Sequence, residues 1–200
     1  MKKTITVFLV SALLLLSACA SSTPAEKLDS YIMKNGTAIG EEYVLDCPEV
    51  IDTIKGSDFT IAHMENLQGS TNTEFQLIKG ESGVSIKLTD SSITDNGMKL
   101  ERTVSIAPDG KFEFKNSIVM NGVSLGVELK GEIPMETYTK ENTPLITESK
   151  LSSGANLTDE VKATLKDYID LALDCYSQVI TQENPGITLA DMGYSSYAGN

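Results

Sequence analysis

The stretch Val84–Lys130, VSIKLTDSSITDNGMKLERTVSIAPDGKFEFKNSIVMNGVSLGVELK, decides the fold. Val84, Ile86 and Leu88 alternate with polar residues. So do Met98, Leu100, Val104 and Ile106, then Phe112 and Phe114, then Val123, Leu125, Val127 and Leu129. Arg102 alone interrupts the apolar series of its segment. A period of two sends successive side chains to opposite faces of a strand, so each run predicts one buried face and one wet face. Glycine-bearing turns separate the runs: TDNG at 94–97, APDG at 107–110, and the pair Asn121-Gly122, which suits a two-residue hairpin. Upstream, Phe75 and Leu77 alternate before the turn KGESG at 79–83. The whole predicts an antiparallel meander of about 5–7 strands with one face buried.

That face needs a cover, and the segment from Thr158 to Gln182 supplies one. Val161, Leu165, Tyr168, Ala172, Cys175 and Val179 step by four and three, flanked by Ile169, Leu173, Tyr176 and Ile180. The spacing predicts an amphipathic helix of about 25 residues. Asp159 and Glu160 stand in its first turn, where the helix dipole favours negative charge, and Pro185-Gly186 ends it. A shorter helix is predicted from Thr23 as N-cap, with Pro24 at the first position, Glu26 closing a capping box, and Asn35-Gly36 as the stop. The expected fold is therefore α+β, a meander packed against a long C-terminal helix with a short N-terminal helix.

The remainder is less patterned. Glu42–Cys47 suggests a strand, 48–54 a loop or a helical turn, and Phe59, Ile61 and Met64 another strand. Residues 140–156, with Pro144, Ser152, Ser153 and Gly154, are expected to link sheet and helix. The tail 186–200 either docks back or frays.

The first residues carry an address. Met1-Lys2-Lys3 is basic, Ile5–Leu16 is almost uninterruptedly apolar, and Ser17, Ala18 and Ala20 are small. This is the three-part layout of an export signal. As a helix the apolar run would reach roughly 18 Å, too short for a hydrocarbon core of about 30 Å. Leu16-Ser17-Ala18-Cys19 resembles the lipobox of bacterial lipoproteins, a small-residue tripeptide before a cysteine. The resemblance implies a diacylglyceryl thioether on Cys19, cleavage just before it, and acylation of the new amino group. The organisation expected is a signal peptide at 1–18, a lipidated cysteine and short tether at 19–23, and a single extracytoplasmic domain at 24–200. In a cell with two membranes, Ala20 after the modified cysteine implies outer-membrane sorting; with one membrane, the domain faces the outside. The bland alternative is ordinary secretory cleavage after Ala20.

Composition bounds the partners. The formal net charge is −12, and removing Lys2 and Lys3 with no acid takes the mature part to −14. Such acidity argues against nucleic acid and against charge-driven adhesion to anionic headgroups. With Cys19 in the anchor, Cys47 and Cys175 remain as a pair outside the cytoplasm. They either join in a disulfide, which is the expectation, or pack as reduced thiols. A bond closing a loop of about 128 residues would contribute roughly 5 kcal/mol in the chain-entropy model.

Motifs for catalysis are thin. Gly122-Val123-Ser124-Leu125-Gly126 matches the G-x-S-x-G of serine hydrolases, but the alternation runs straight through it, and the single histidine, His63, precedes it. One histidine does not build a usual zinc site. Asp90, Asp95 and Asn96 miss the EF-hand spacing and are read as turn chemistry, and Asp167, Asp170 and Asp174 as a solvated helix face with Lys166 pairing Asp170. No phosphate-binding loop or dinucleotide fingerprint is present. The expected function is a non-catalytic binding or interaction module, held at the membrane by lipid, for an apolar or lipid ligand or an envelope protein, without cofactor or metal. The alternatives are a structural envelope protein or protein inhibitor, and a hydrolase using two carboxylates. The outline is similar, as architecture alone, to the half-barrel carriers of lipoprotein-sorting and mycobacterial lipoprotein type. That likeness implies an apolar cavity of about 300 Å³ or more between helix and sheet.

Overall fold

The computed structural model describes residues 22–54, 69–94, 97–152, 156–183 and 186–197. The expected signal segment, Cys19, His63, Asp95 and Asn96 of the expected turn, and the strand expected around Phe59–Met64 lie outside them. The chain opens with helix α1 (Pro24–Asn35), followed by β1 (Thr37–Ile39), β2 (Glu42–Asp46) and helix α2 (Pro48–Ile54). Five long strands come next: β3 (Gly69–Gly80), β4 (Gly83–Thr94), β5 (Lys99–Ile106), β6 (Lys111–Met120) and β7 (Val123–Glu132). Strand β8 (Leu145–Leu151), the long helix α3 (Asp159–Glu183) and a 3-10 turn (Leu189–Met192) complete it.

The fold is α+β. Its eight strands form one antiparallel sheet in chain order, β1 to β8, each paired with its sequence neighbours. Eight corrects the expected 5–7, and the strands missed stand at the two edges. Strand β1 has three residues, all exposed, and β8 lies where a linker was expected, with six of its seven residues exposed. An edge strand whose side chains nearly all meet water has no continuous buried face to impose alternation, so its sequence carries no period of two. Glu148 and Lys150 along β8 also discourage further pairing at that edge.

Local chemistry accounts for the joints. Thr23 Oγ1 accepts from the Glu26 amide at 3.2 Å, and the Thr23 amide donates to Glu26 Oε2 at 2.7 Å, completing the capping box of α1. Asn121 (φ 50°) and Gly122 (φ 78°) both take positive φ, as the tight β6–β7 hairpin requires. Gly131 sits at an irregularity in the β7–β8 pairing, where an added Cβ would come within 1.9 Å of the Leu145 carbonyl oxygen. Only glycine fits there.

Packing follows the alternation. Leu88, Val104, Phe114 and Leu129 form one row across β4–β7, each 0 % exposed. Leu165, Ile169, Ala172 and Leu173 of α3, equally buried, belong to the same core cluster. This junction is filled with side chains. Tyr168 of α3 meets Phe114 of β6 with ring centroids 5.9 Å apart. The tail docks rather than frays, with Ile187, Leu189, Tyr194 and Tyr197 all buried.

Candidate functional site

The face of the sheet that carries α3 changes character along its strands. Next to the apolar row lies a second register row, Asp90, Arg102, Asn116 and Val127, with Leu151 opposite Val127. A third row follows, Ser92, Leu100, Ile118 and Leu125, and the hairpin ends with Met120 opposite Val123. The order across the face is therefore apolar core, polar belt, apolar apron.

The belt is held from above by α3. The Tyr168 hydroxyl donates to Asp90 Oδ2 at 2.9 Å, and Thr73 Oγ1 stands 3.4 Å from Asp90 Oδ1. Burial, first, and then the Asp90 charge push the Tyr168 hydroxyl well above the ordinary tyrosine range, so it remains a donor. Arg102 extends over the same ring, with its guanidinium carbon 5.8 Å from the centroid. It makes no ion pair among the described residues.

Three side-chain atoms here are buried without a hydrogen-bond partner: Ser92 Oγ, Arg102 Nε and Asn116 Oδ1. They are the only such atoms among the described residues, and all lie on three consecutive strands in two adjacent rows. Leaving a buried polar group unpaired costs about 1–3 kcal/mol each. A natural core rarely concentrates that loss without a use for it. The Arg102 break in the alternation was the sequence signal for this belt.

The apron beside it is open. Ile118, Met120, Val123 and Leu125 are between 40 and 62 % exposed, and Leu151 is 37 % exposed. From Asn116 to Val127 the chain carries no charged residue, in a protein whose charged fraction is 22 %. Helix α3 overlies β4 and β5, so the far ends of β6, β7 and β8 lie beyond its cover.

Described residues also form clefts. One, of about 270 Å³, lies beside the start of α1 between Leu28, Val84, Pro108, Met135, Tyr176 and Met192. Another, of about 390 Å³, is an open depression centred on Gly126 on the water-facing side, between Thr103, Lys115, Ser117, Glu128 and Ser152, and a third, of about 40 Å³, lies between Tyr31, Leu45, Val50 and Val179. None of these is the enclosed apolar cavity of about 300 Å³ or more between helix and sheet that the carrier outline implies.

The other sequence candidates fall in different places. Cys47 and Cys175 are both buried thiols of one core cluster. Cys47 Sγ lies 3.6 Å from the Leu45 carbonyl oxygen as donor, and burial, Asp174 and Cys47 together raise the Cys175 thiol far above its usual range. Ser124 lies on β7 with the strand continuing to Glu132, so no strand-to-helix elbow presents it.

Asp170 and Asp174 correct the expectation of a solvated acidic face. Tyr138 donates to Asp170 Oδ1 at 2.9 Å, Lys166 also holds Asp170, Lys140 donates to Asp174 Oδ2 at 2.8 Å, and Tyr197 to Asp174 Oδ1 at 3.1 Å. The Tyr138 and Tyr197 rings stack at 6.0 Å over these carboxylates. Burial outweighs Lys166 and Tyr138 and keeps the Asp170 pKa above the ordinary carboxylate value. These acids fasten the tail and the loop after β7 to α3; their hydrogen bonds are internal. Among the described residues no group of three or more His, Cys, Asp or Glu side chains is placed to hold a metal ion. Nor is any helix among them long and apolar enough to cross a membrane, which says nothing of strands.

No protein-family model, curated protein or solved structure matches this chain.

Proposed function

We propose that this protein is a lipid-anchored extracytoplasmic binding module, tethered through Cys19 and presenting the apolar apron of β6–β8 to a ligand or envelope partner without catalysis. The observation that carries this reading is the opposition of the two ends. Ala25, at the start of α1, lines the same cleft as Gly83 and Pro108, so the tether leaves from the turn end of β4 and β5. The apron lies at the other end of the strands. Along β4, Gly83 to Ile93 spans roughly 34 Å at about 3.4 Å per residue. The four residue-to-residue steps from Cys19 to Thr23 reach at most about 14 Å. A bilayer holding Cys19 would keep the α1 end close and leave the apron free for another molecule.

The sorting of acyl anchors supports the membrane half of the reading: two or three chains, at about 0.8 kcal/mol per buried CH₂, hold a soluble body firmly on a bilayer. Membrane fractionation and intact mass test it. The native chain is expected in the membrane fraction, beginning at a lipid-modified Cys19, and Cys19→Ser is expected to be released by salt-free washing. A mature chain that starts at Ser21 without lipid overturns the anchor. A Cys47–Cys175 bond belongs to the same proposal: the two are free, buried thiols of one core cluster in the structure, and that shared cluster is what supports their pairing in an oxidising compartment. Alkylation of the denatured, unreduced protein should leave both unlabelled.

A further inference from the structure

We infer that the polar belt and the apron together form a binding site for an uncharged, hydroxyl-bearing single-chain lipid of the acylglycerol class. This rests on the binding-module reading above and names its ligand. Arg102 Nε can only donate and Asn116 Oδ1 can only accept, and the two residues are register partners on β5 and β6. A hydroxyl group satisfies both at once, accepting from the first and donating to the second. Ser92 Oγ, unpartnered in a side chain 2 % exposed on the adjoining strand, offers a further donor and acceptor to a second hydroxyl.

Charge selects against an anionic head. Asp90, buried and in register with Arg102, is joined to the guanidinium through Tyr168, whose hydroxyl accepts from Arg102 Nη1 at 3.5 Å and donates to Asp90 Oδ2 at 2.9 Å. A carboxylate or phosphate placed there would face the Asp90 carboxylate in a shielded setting, whereas a neutral glycerol would not. The acyl chain then has a path. Ile118 and Leu125 stand in the row next to Arg102 and Asn116, and Met120 and Val123 continue it to the hairpin tip, all apolar and all partly exposed. In the structure as it stands the belt atoms are shielded from solvent, so the head enters by displacing apron side chains, for which the unbranched Met120 is suited.

The arrangement makes an unusual prediction. Replacing the unpartnered amide by an apolar side chain removes a buried unsatisfied group, so Asn116→Leu should leave the free protein as stable or more so, while it weakens lipid binding. The chain contains no tryptophan, so Leu125→Trp supplies a single reporter on the apron. The experiment uses the full-length chain carrying Cys19→Ser and Leu125→Trp, titrated with a monoacylglycerol bearing a brominated acyl chain, with the matching fatty acid and the matching glycerol-free alkane as comparisons. Expected are quenching by the monoacylglycerol, about tenfold or greater weakening on adding Asn116→Leu or Arg102→Met, and weaker quenching by the fatty acid. Thermal unfolding of each variant in the absence of lipid verifies that it is folded. Equal binding of all three probes, or binding indifferent to Asn116→Leu in a folded variant, overturns the head-group site. Preferred binding of the fatty acid overturns the choice of a neutral head, and no quenching by any probe overturns the lipid site altogether. Because this assay runs on unanchored protein, its failure is separate from failure of the anchor, which fractionation alone decides.

Discussion

Strands β6 and β7 pass through two environments on one face. At Phe114 and Leu129 they lie in the core with α3 and are closed to water; at Ile118, Met120, Val123 and Leu125 the same apolar alternation continues in side chains that are 40–62 % exposed. Between the two halves runs the belt of Asp90, Arg102 and Asn116. Alternation thus states which face of a strand is apolar, and the reach of the helix states how much of that face becomes core. The exposed half is what a molecule keeps when part of its apolar face serves something other than its own folding.

Three substitutions break or sharpen this contrast. The largest effect is expected in the covered half: Phe114→Ala removes a ring that is 0 % exposed and in contact with Tyr168. It should lower unfolding free energy by about 3–5 kcal/mol in urea titration. A loss near zero would mean that α3 does not close this half in solution. The belt comes second. Tyr168→Phe deletes the hydroxyl that donates to Asp90 at 2.9 Å and leaves the aromatic packing in place. Removing one partner of a buried carboxylate predicts a loss of about 1–3 kcal/mol, read from the same titration. The smallest effect belongs to the apron: Val123→Ser, at a side chain 62 % exposed, should fall within about 0.5 kcal/mol of the parent. Should it cost as much as Phe114→Ala, the apron is covered in solution and the two halves are alike.

Much of the scaffold was legible beforehand. The expected helix at 158–182 is observed at Asp159–Glu183, and the N-terminal helix keeps its Thr23–Glu26 capping box. The runs on β4 to β7 pair as neighbours in the order of their turns. These readings worked because each rests on residues close together in sequence: a cap three residues long, a turn of two, a period of two or 3.6. Strands β1 and β8 were missed for the complementary reason. Their ladders are satisfied by β2 and β7, and all their side chains but the half-buried Ile146 are exposed, so no local alternation marks them.

The belt was half legible. Arg102 showed as a break in an apolar series, but nothing in the chain near it announced Asp90 twelve residues before or Tyr168 sixty-six after. The acidic residues of α3 read as a wet stripe because the 3.6-residue period places them opposite the sheet-facing side chains. Tyr138 and Tyr197 arrive from the loop and tail to cover them, 32 and 23 residues away from their partners Asp170 and Asp174.

By itself, then, the sequence determined what short-range geometry determines: the strands with a buried face, the helices and their ends, the hairpin turns, the acidic charge, and the expectation of an anchored Cys19. Tertiary structure decided which part of the apolar face α3 covers, which polar side chains meet beneath it, and that the tail seals the helix's outer flank. The physical reason is range. Propensity, capping and alternation act over a few residues, whereas burial and hydrogen-bond pairing depend on surfaces joined across the whole chain, and no local pattern records where one surface stops.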